Sequence, residues 1–252
     1  MTDKASLSVD TNKAPLDELF GVGAHYGYKK TRRHPSTAKY VFGVKNTVEI
    51  FDLEKTYTKL QKAEAFVSGL AQTRKQILFV IGKPEAAAMV ASGAEAVSMP
   101  YVAGRWIGGT LTNFDEIRKR VNRLEEIREK KEKGELDKYT KHERLLMDRE
   151  AADLEDTFGG LVRMKNLPAA LFVIDPREER TAVHEAMKLH IPVVALANTD
   201  CDISVLDYPI PANDANIRSI AFFVSRIVEA YKRGVAVASK EKKAAPQKED
   251  RE

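Results

Sequence analysis

Short, continuous apolar runs separated by helical stretches constrain this chain more than any other feature of its sequence. Ile77 to Ile81, Ala170 to Ile174 and Pro192 to Ala197 are apolar at every position, so neither face of such a strand can be left to water. They call for a sheet covered on both faces. Parallel strands meet that demand, because each crossover carries a helix back over the sheet. Helical patterns stand where crossovers belong, from Pro84 to Ser92 after the first run and from about Glu178 to Leu189 after the second. Val97 to Val102 and Tyr208 to Ile210 read as further short strands, and about Asn213 to Lys232 as a closing helix. The expected fold class is α/β with a parallel sheet.

One long stretch, Asn113 to Phe158, breaks this alternation with a different period. Phe114, Ile117, Val121, Leu124 and Arg128 step by three and four, as do Met147, Ala151, Leu154 and Phe158, which is the seam spacing of paired helices. Gly134 to Tyr139 separates the two halves, and Thr140 with Glu143 has the spacing of a capping box. The pattern predicts an antiparallel helical hairpin, a coiled-coil pair, protruding from the α/β body with its seam buried against itself. Nearer the N-terminus, Asp52 is placed to cap a helix reaching about Thr73, with Leu53, Tyr57, Leu60 and Val67 along one face. Before it come a short helix at Pro15 to Phe20, a Gly-punctuated basic loop, and short strands at Tyr40 to Phe42 and Val48 to Phe51 around a turn at Gly43 to Asn46. The expected division is a flexible N-terminus over 1–14, an α/β body with an N-terminal basic arm over 15–112 and 159–237, the hairpin insertion over 113–158, and a tail over 238–252. Lys, Glu, Ala, Pro and Gln dominate that tail, and it is expected to be disordered.

Composition narrows the function. A chain of 252 residues with 43% hydrophobic and 31% charged residues is neither disordered throughout nor fibrous. No apolar run approaches the roughly 20 residues that span a bilayer, and Met1 to Asp10 is polar, so a cytoplasmic protein is expected. The single cysteine, Cys201, can form no internal disulfide and lacks the paired spacing of a structural zinc site. A formal net charge of +4 does not identify a nucleic-acid partner by itself. Its distribution says more. Between Leu19 and Val48 there is no Asp or Glu, while Lys29, Lys30, Arg32, Arg33, Lys39 and Lys45 all fall inside that stretch, interleaved with Tyr26, Tyr28 and Tyr40. Cations mixed with stacking rings mark a candidate phosphate-facing surface.

Other constellations carry less. Gly104 to Thr110, with Arg105 and Trp106 inside it, is Gly-rich and lies between a strand and a helix, but it spells neither G-x-G-x-x-G nor G-x-x-x-x-G-K-[ST]. It reads as the tight connection at the root of the hairpin, from which Arg105 and Trp106 can reach a phosphate or stack on a base. The histidines His25, His34, His142, His184 and His190 form no catalytic or metal-binding spacing. Asp175, Asp200 and Asp202 stand at carboxyl ends of predicted strands, where oxygen ligands for Mg²⁺ are sometimes placed, although turn and cap roles are commoner there. Arg118, Lys119, Arg120 and Arg123 are flanked by Asp115, Glu116, Glu125 and Glu126 and read as a solvated face. Taken together, these readings give RNA-binding candidates at Lys29, Lys30, Arg32, Arg33, Lys39, Arg105 and Trp106, no catalytic residue, no cofactor and no metal. The rival is an α/β enzyme with a nucleotide or sugar phosphate at the sheet's carboxyl edge.

Several blocks match a known family in order. Phe20 to Gly27, Thr31-Arg32-Arg33-His34-Pro35, Tyr40 to Gly43, Asn46 to Ile50, Asp52 to Thr56 and Arg105 to Asn113 resemble the S-two family of small-subunit ribosomal proteins. So do Leu167 to Asp175, Glu185-Ala186, Leu189 to Val193, Ile210 to Ala215 and Ile217-Arg218. Two positions depart from the pattern, with Tyr28 where a His is common and His34 where a Trp is common. The resemblance implies a flavodoxin-like three-layer body with a protruding helical hairpin, of bacterial or organellar type. It implies docking on small-subunit rRNA in the ribosome, beside neighbouring small-subunit proteins, and in the family a part in retaining the large S-one protein.

Overall fold

The structure, a computed structural model, describes residues 13–244. The flexible start and disordered tail expected from composition therefore lie mostly outside the described residues.

Five of the expected apolar segments form one parallel sheet. Its strands are β4 (Ile77–Ile81), β5 (Tyr101–Ala103), β6 (Ala170–Ile174), β7 (Val193–Ala197) and β8 (Tyr208–Pro211), in the spatial order β5-β4-β6-β7-β8. Counted along the sheet's own strands this is 2-1-3-4-5, the flavodoxin-like order, whose direction of winding reverses between β4 and β6. Register is even across the centre, with Phe79 opposite Phe172 and Phe172 opposite Val194.

Alternate side chains fill two cores. Ile77, Phe79, Ile81, Phe172, Ile174, Leu196 and Ile210 face α2 (Leu53–Gln72), α3 (Pro84–Glu95) and α7 (Ile217–Ala244), and Leu19 of α1 (Lys13–Gly21) joins them. Leu78, Val80, Leu171, Val173, Val193 and Ala195 face the other way, toward Ala182, Val183 and Ala186 of α6 (Arg180–Lys188). Capping is as the sequence requires at two helices. Asp52 accepts from the Glu54 and Lys55 amides, and Thr140 with Glu143 forms the reciprocal capping box of α5 (Lys141–Phe158).

The second core corrects one expectation. Besides α6 it is covered by the root of α4 (Phe114–Glu132) and the end of α5, through Ile117, Val121 and Phe158, together with Trp106, Leu111, Leu161 and Met164. These two helices do not bury their seam only against each other, because α6 alone leaves that face of the sheet partly bare. Further along α4, Leu124 and Ile127 are buried, and Arg128, expected in the seam, is exposed and paired with Glu155. Arg123 bridges the two helices with Nε and Nη2 on the two Glu150 oxygens, each contact 3.0 Å.

Other boundaries shift for local reasons. The strand expected from Val97 shrinks to Tyr101–Ala103, because α3 runs on to Glu95 and Ser98 stops it at a positive φ of 57°. The closing helix does not end near Lys232, and it runs into the first residues of the expected tail. Helix α7 continues to Ala244, with Ala238 still buried, since Ala, Lys and Glu are strong helix formers even where they supply little core.

Candidate nucleic-acid interface

The basic arm folds as a separate antiparallel sheet of β1 (Tyr26–Lys29), β2 (Val41–Lys45) and β3 (Val48–Phe51), with β3 in the centre. The turn lies at Asn46 and Thr47, both at positive φ, rather than at Gly43, which sits inside β2. Between β1 and β2 two 3-10 turns carry the basic loop, and it is tied to the carboxyl end of β7. His34 N–H donates to the Thr199 carbonyl at 2.8 Å, Thr37 Oγ1 to the same carbonyl at 2.9 Å, and Tyr28 N–H to Thr199 Oγ1 at 3.0 Å. Ser36 Oγ accepts from Ile203 N–H at 3.1 Å. Such ties hold the loop in one conformation, so its charges are preorganised rather than dangling.

Lys29, Lys30, Arg32 and Lys39 are all exposed and make no ion pair among the described residues. Arg32 lies 4.9 Å from the Tyr28 ring centre and Lys39 5.3 Å from that of Tyr40, so the aromatic neighbours orient these cations without neutralising them. Arg33 differs. Its guanidinium is 3.1 Å from Glu49 Oε1, and the Glu49 side chain is fully buried. Glu49 stands one residue past the acid-free stretch, which is why charge counting left Arg33 unpaired. The signal was present in the period of two: Glu49 shares an inward face with buried Phe51, and an inward carboxylate needs a cation.

The Gly-rich segment has an occupant of its own. Glu185 Oε1 accepts from Trp106 Nε1 at 3.1 Å and the Gly109 amide at 2.7 Å, while Oε2 accepts from the Leu111 amide at 2.9 Å and from the Thr112 amide and hydroxyl, both at 3.1 Å. Amides that would cradle a phosphate in a nucleotide-binding protein are spent on an internal carboxylate. Burial alone would raise the Glu185 pKa, but the donors from Trp106, Thr112, Gly109 and Leu111 outweigh it and hold it below the ordinary glutamate value. Trp106 is buried with its N–H committed, so it braces this loop, whereas Arg105 next to it is exposed.

At the winding reversal lies a cleft of about 520 Å³ lined by Tyr28, Lys83, Arg105, Asp175 and Glu179 among others. Of its two cations, Lys83 and Arg105, the first is paired internally. Lys83 Nζ is 2.7 Å from Asp175 and 3.2 Å from Asp214, and donates to the Asp214 carbonyl at 2.8 Å. Burial depresses the Lys83 amine, yet Asp214 and Asp175 overcome that and leave its pKa raised. Glu179 is pushed up to about 7, by burial first and by Asp175 second. Asp175, Asp200 and Asp202 do not converge on one point. Asp175 takes Lys83, Asp200 takes Arg177 at 2.5 Å, and Asp202 accepts from Ser204 N–H at 2.9 Å. Oxygens of Asp175 and Asp214 and the Cys201 sulfur lie within 4.8 Å of one another, but the Lys83 ammonium already bridges the two carboxylates. The helical cations are also engaged: Arg118 with Glu125, Lys119 with Glu116 and Arg123 with Glu150.

A flavodoxin-like sheet whose Gly-rich amides are taken by Glu185, and whose switch-point lysine is paired with Asp175 and Asp214, fits a structural α/β scaffold. A family model described as ribosomal protein S2 matches residues 19–234. The chain is 44% identical over 230 residues to the small ribosomal subunit protein uS2 of Chloroherpeton thalassium, spanning 91% of this chain and 92% of that relative. It is 43% identical over 224 residues to that of Sulfurimonas denitrificans, spanning 89% and 86%, and 40% identical over 231 residues to that of Porphyromonas gingivalis, spanning 92% and 82%. The chain belongs to the ribosomal protein S2 family. It is a structural, non-enzymatic constituent of the small ribosomal subunit, working in the cytoplasm, and the rival enzyme reading falls with that membership.

Proposed function

We propose that the protein binds small-subunit rRNA through the basic arm, with Lys29, Lys30, Arg32 and Lys39 on backbone phosphates and Arg105 extending the same surface. The observation that carries this is the presence of four exposed cations on a loop tied to the body, with no carboxylate partner among the described residues. Phosphates are the partners such a surface lacks. Arg33 and Trp106, also singled out in the sequence, serve the surface from behind by holding Glu49 and the Glu185 loop. Helices α4 and α5 we read as a protruding coiled-coil hairpin that widens the footprint toward neighbouring subunit proteins, the S-one protein among them. Leu145 and Leu146, 47% and 50% exposed on α5, support a protein contact there. The test is sedimentation of a variant with Lys29, Lys30, Arg32 and Lys39 all changed to Ala. The wild-type protein should travel with small subunits and the folded variant should remain at the top of the gradient. Co-sedimentation of the variant at wild-type level would remove the arm from the interface.

A further inference from the structure

The most exposed large apolar side chain among those of the described residues is Phe42, at 81%. A lone exposed ring is unremarkable on a protein surface, but this one is placed by a defect in the ladder. Val41 pairs with Phe51 and Gly43 with Ile50, so Phe42 is the extra residue of a β-bulge. β2 is an edge strand, since β3 lies between it and β1. A bulge gives up regular pairing and re-aims the extra side chain, here into solvent. Beside it, and apart from the glycine's own chain neighbours, no atom of the described residues lies within 4 Å of where a Gly43 Cβ would stand, so this part of the edge strand is open as well. Lys39 and Lys45 lie three residues to either side, both exposed, and the acid nearest in sequence, Glu49, is buried on the inner face.

From this arrangement we propose that Phe42 is a stacking platform for an unpaired base of the small-subunit rRNA, with Lys39 and Lys45 on the flanking phosphates. The proposal rests on the reading of the arm as the rRNA-facing surface and adds a base contact to it. A rigid ring with cations on both flanks is what single-stranded RNA uses, since every base offers a π-face and every linkage a charge. An apolar pocket on a protein would find the ring but leave those lysines unmatched.

The test uses small subunits stripped of this protein, to which full-length variants are added back. Phe42→Ala should bind roughly five- to a hundred-fold more weakly, the range for losing one stacked base, and Phe42→Leu should be similarly weak. Phe42→Trp should bind within about two-fold of wild type. The slope of log K against log salt should not change, because no charge is lost. Base-specific chemical probing should show one unpaired base protected by wild type and by Phe42→Trp, and reactive with Phe42→Ala. The ring touches little, so all three should melt near the wild-type temperature. If one does not, the comparison of Leu with Trp still decides. Wild-type affinity of Phe42→Ala overturns the proposal, and so does Phe42→Leu binding as wild type with unchanged base reactivity, which would make the ring an apolar anchor on a protein. The phosphate reading fails separately, through arm-cation variants that bind normally.

Discussion

Arg32 and Arg33 are neighbours in sequence with opposite duties. Arg32 is exposed beside the Tyr28 ring, whereas Arg33 neutralises Glu49, whose other oxygen has no hydrogen-bond partner among the described residues. Removing one partner of a buried carboxylate costs far more than removing an exposed charge. Arg33→Ala should therefore lower stability by about 1–3 kcal/mol, discounted for the partial exposure of the guanidinium, while Arg32→Ala should change it by less than about 0.5 kcal/mol. Urea titration of both variants checks this, and equal midpoints would mean that Glu49 finds another partner. Glu185 makes the corresponding case at the Gly-rich loop. Glu185→Ala strands five donors, from Trp106, Gly109, Leu111 and Thr112 twice, and should cost about 3 kcal/mol or more. Because the folded pKa is depressed, its contribution is fully present above the unfolded value and is lost as pH falls through the folded one. Wild-type stability should thus begin to decline through this group as pH falls below about 4.5, and the acid-dependent part of the difference from Glu185→Ala should vanish only once pH is below the depressed folded pKa.

At the scale of elements, α4 and α5 show how far periodicity can be trusted. The three-and-four spacing located both helices, and Thr140 with Glu143 the capping box, but the spacing could not say which turns meet the body, since one apolar stripe serves a partner helix and a sheet equally well. Ile117, Val121 and Phe158 belong to the second core. Replacing residues 125–150 by a short Gly-rich linker should leave a cooperative thermal transition with the body intact. Removing 113–158 should cost several kcal/mol, because it strips large side chains from the sheet. Circular dichroism melts of the two deletions measure this, and identical melting would mean that the root is dispensable. The apolar runs of β4, β6 and β7 were legible because they are buried on both faces. The arm's register was less so. Its turn uses Asn46 and Thr47 at positive φ in place of the glycine that usually marks one, and its bulge leaves no mark in composition. Of the candidate site, the exposed cations could be read from the absence of acids in their stretch. The roles of Arg33 and Trp106 could not, because Glu49 and Glu185 reach them only through the fold, Glu185 across 79 residues in the case of Trp106.

For the whole molecule, the scaffold is one that elsewhere binds nucleotides, and here the polar groups at those positions are engaged internally. Glu185 fills the amide cradle, Lys83 fills the gap between Asp175 and Asp214, and the exposed charge is moved outward to the arm. We propose that this arm meets phosphates. The direct measurement is the salt dependence of binding to small subunits stripped of this protein, comparing wild type with the variant in which Lys29, Lys30, Arg32 and Lys39 are Ala. Each lost phosphate contact should make the slope of log K against log salt shallower by roughly 0.7–0.9, so the full variant should lose roughly three units of slope along with most of its affinity, while melting as wild type does. A folded variant with the wild-type slope and affinity would mean that the arm does not meet phosphates.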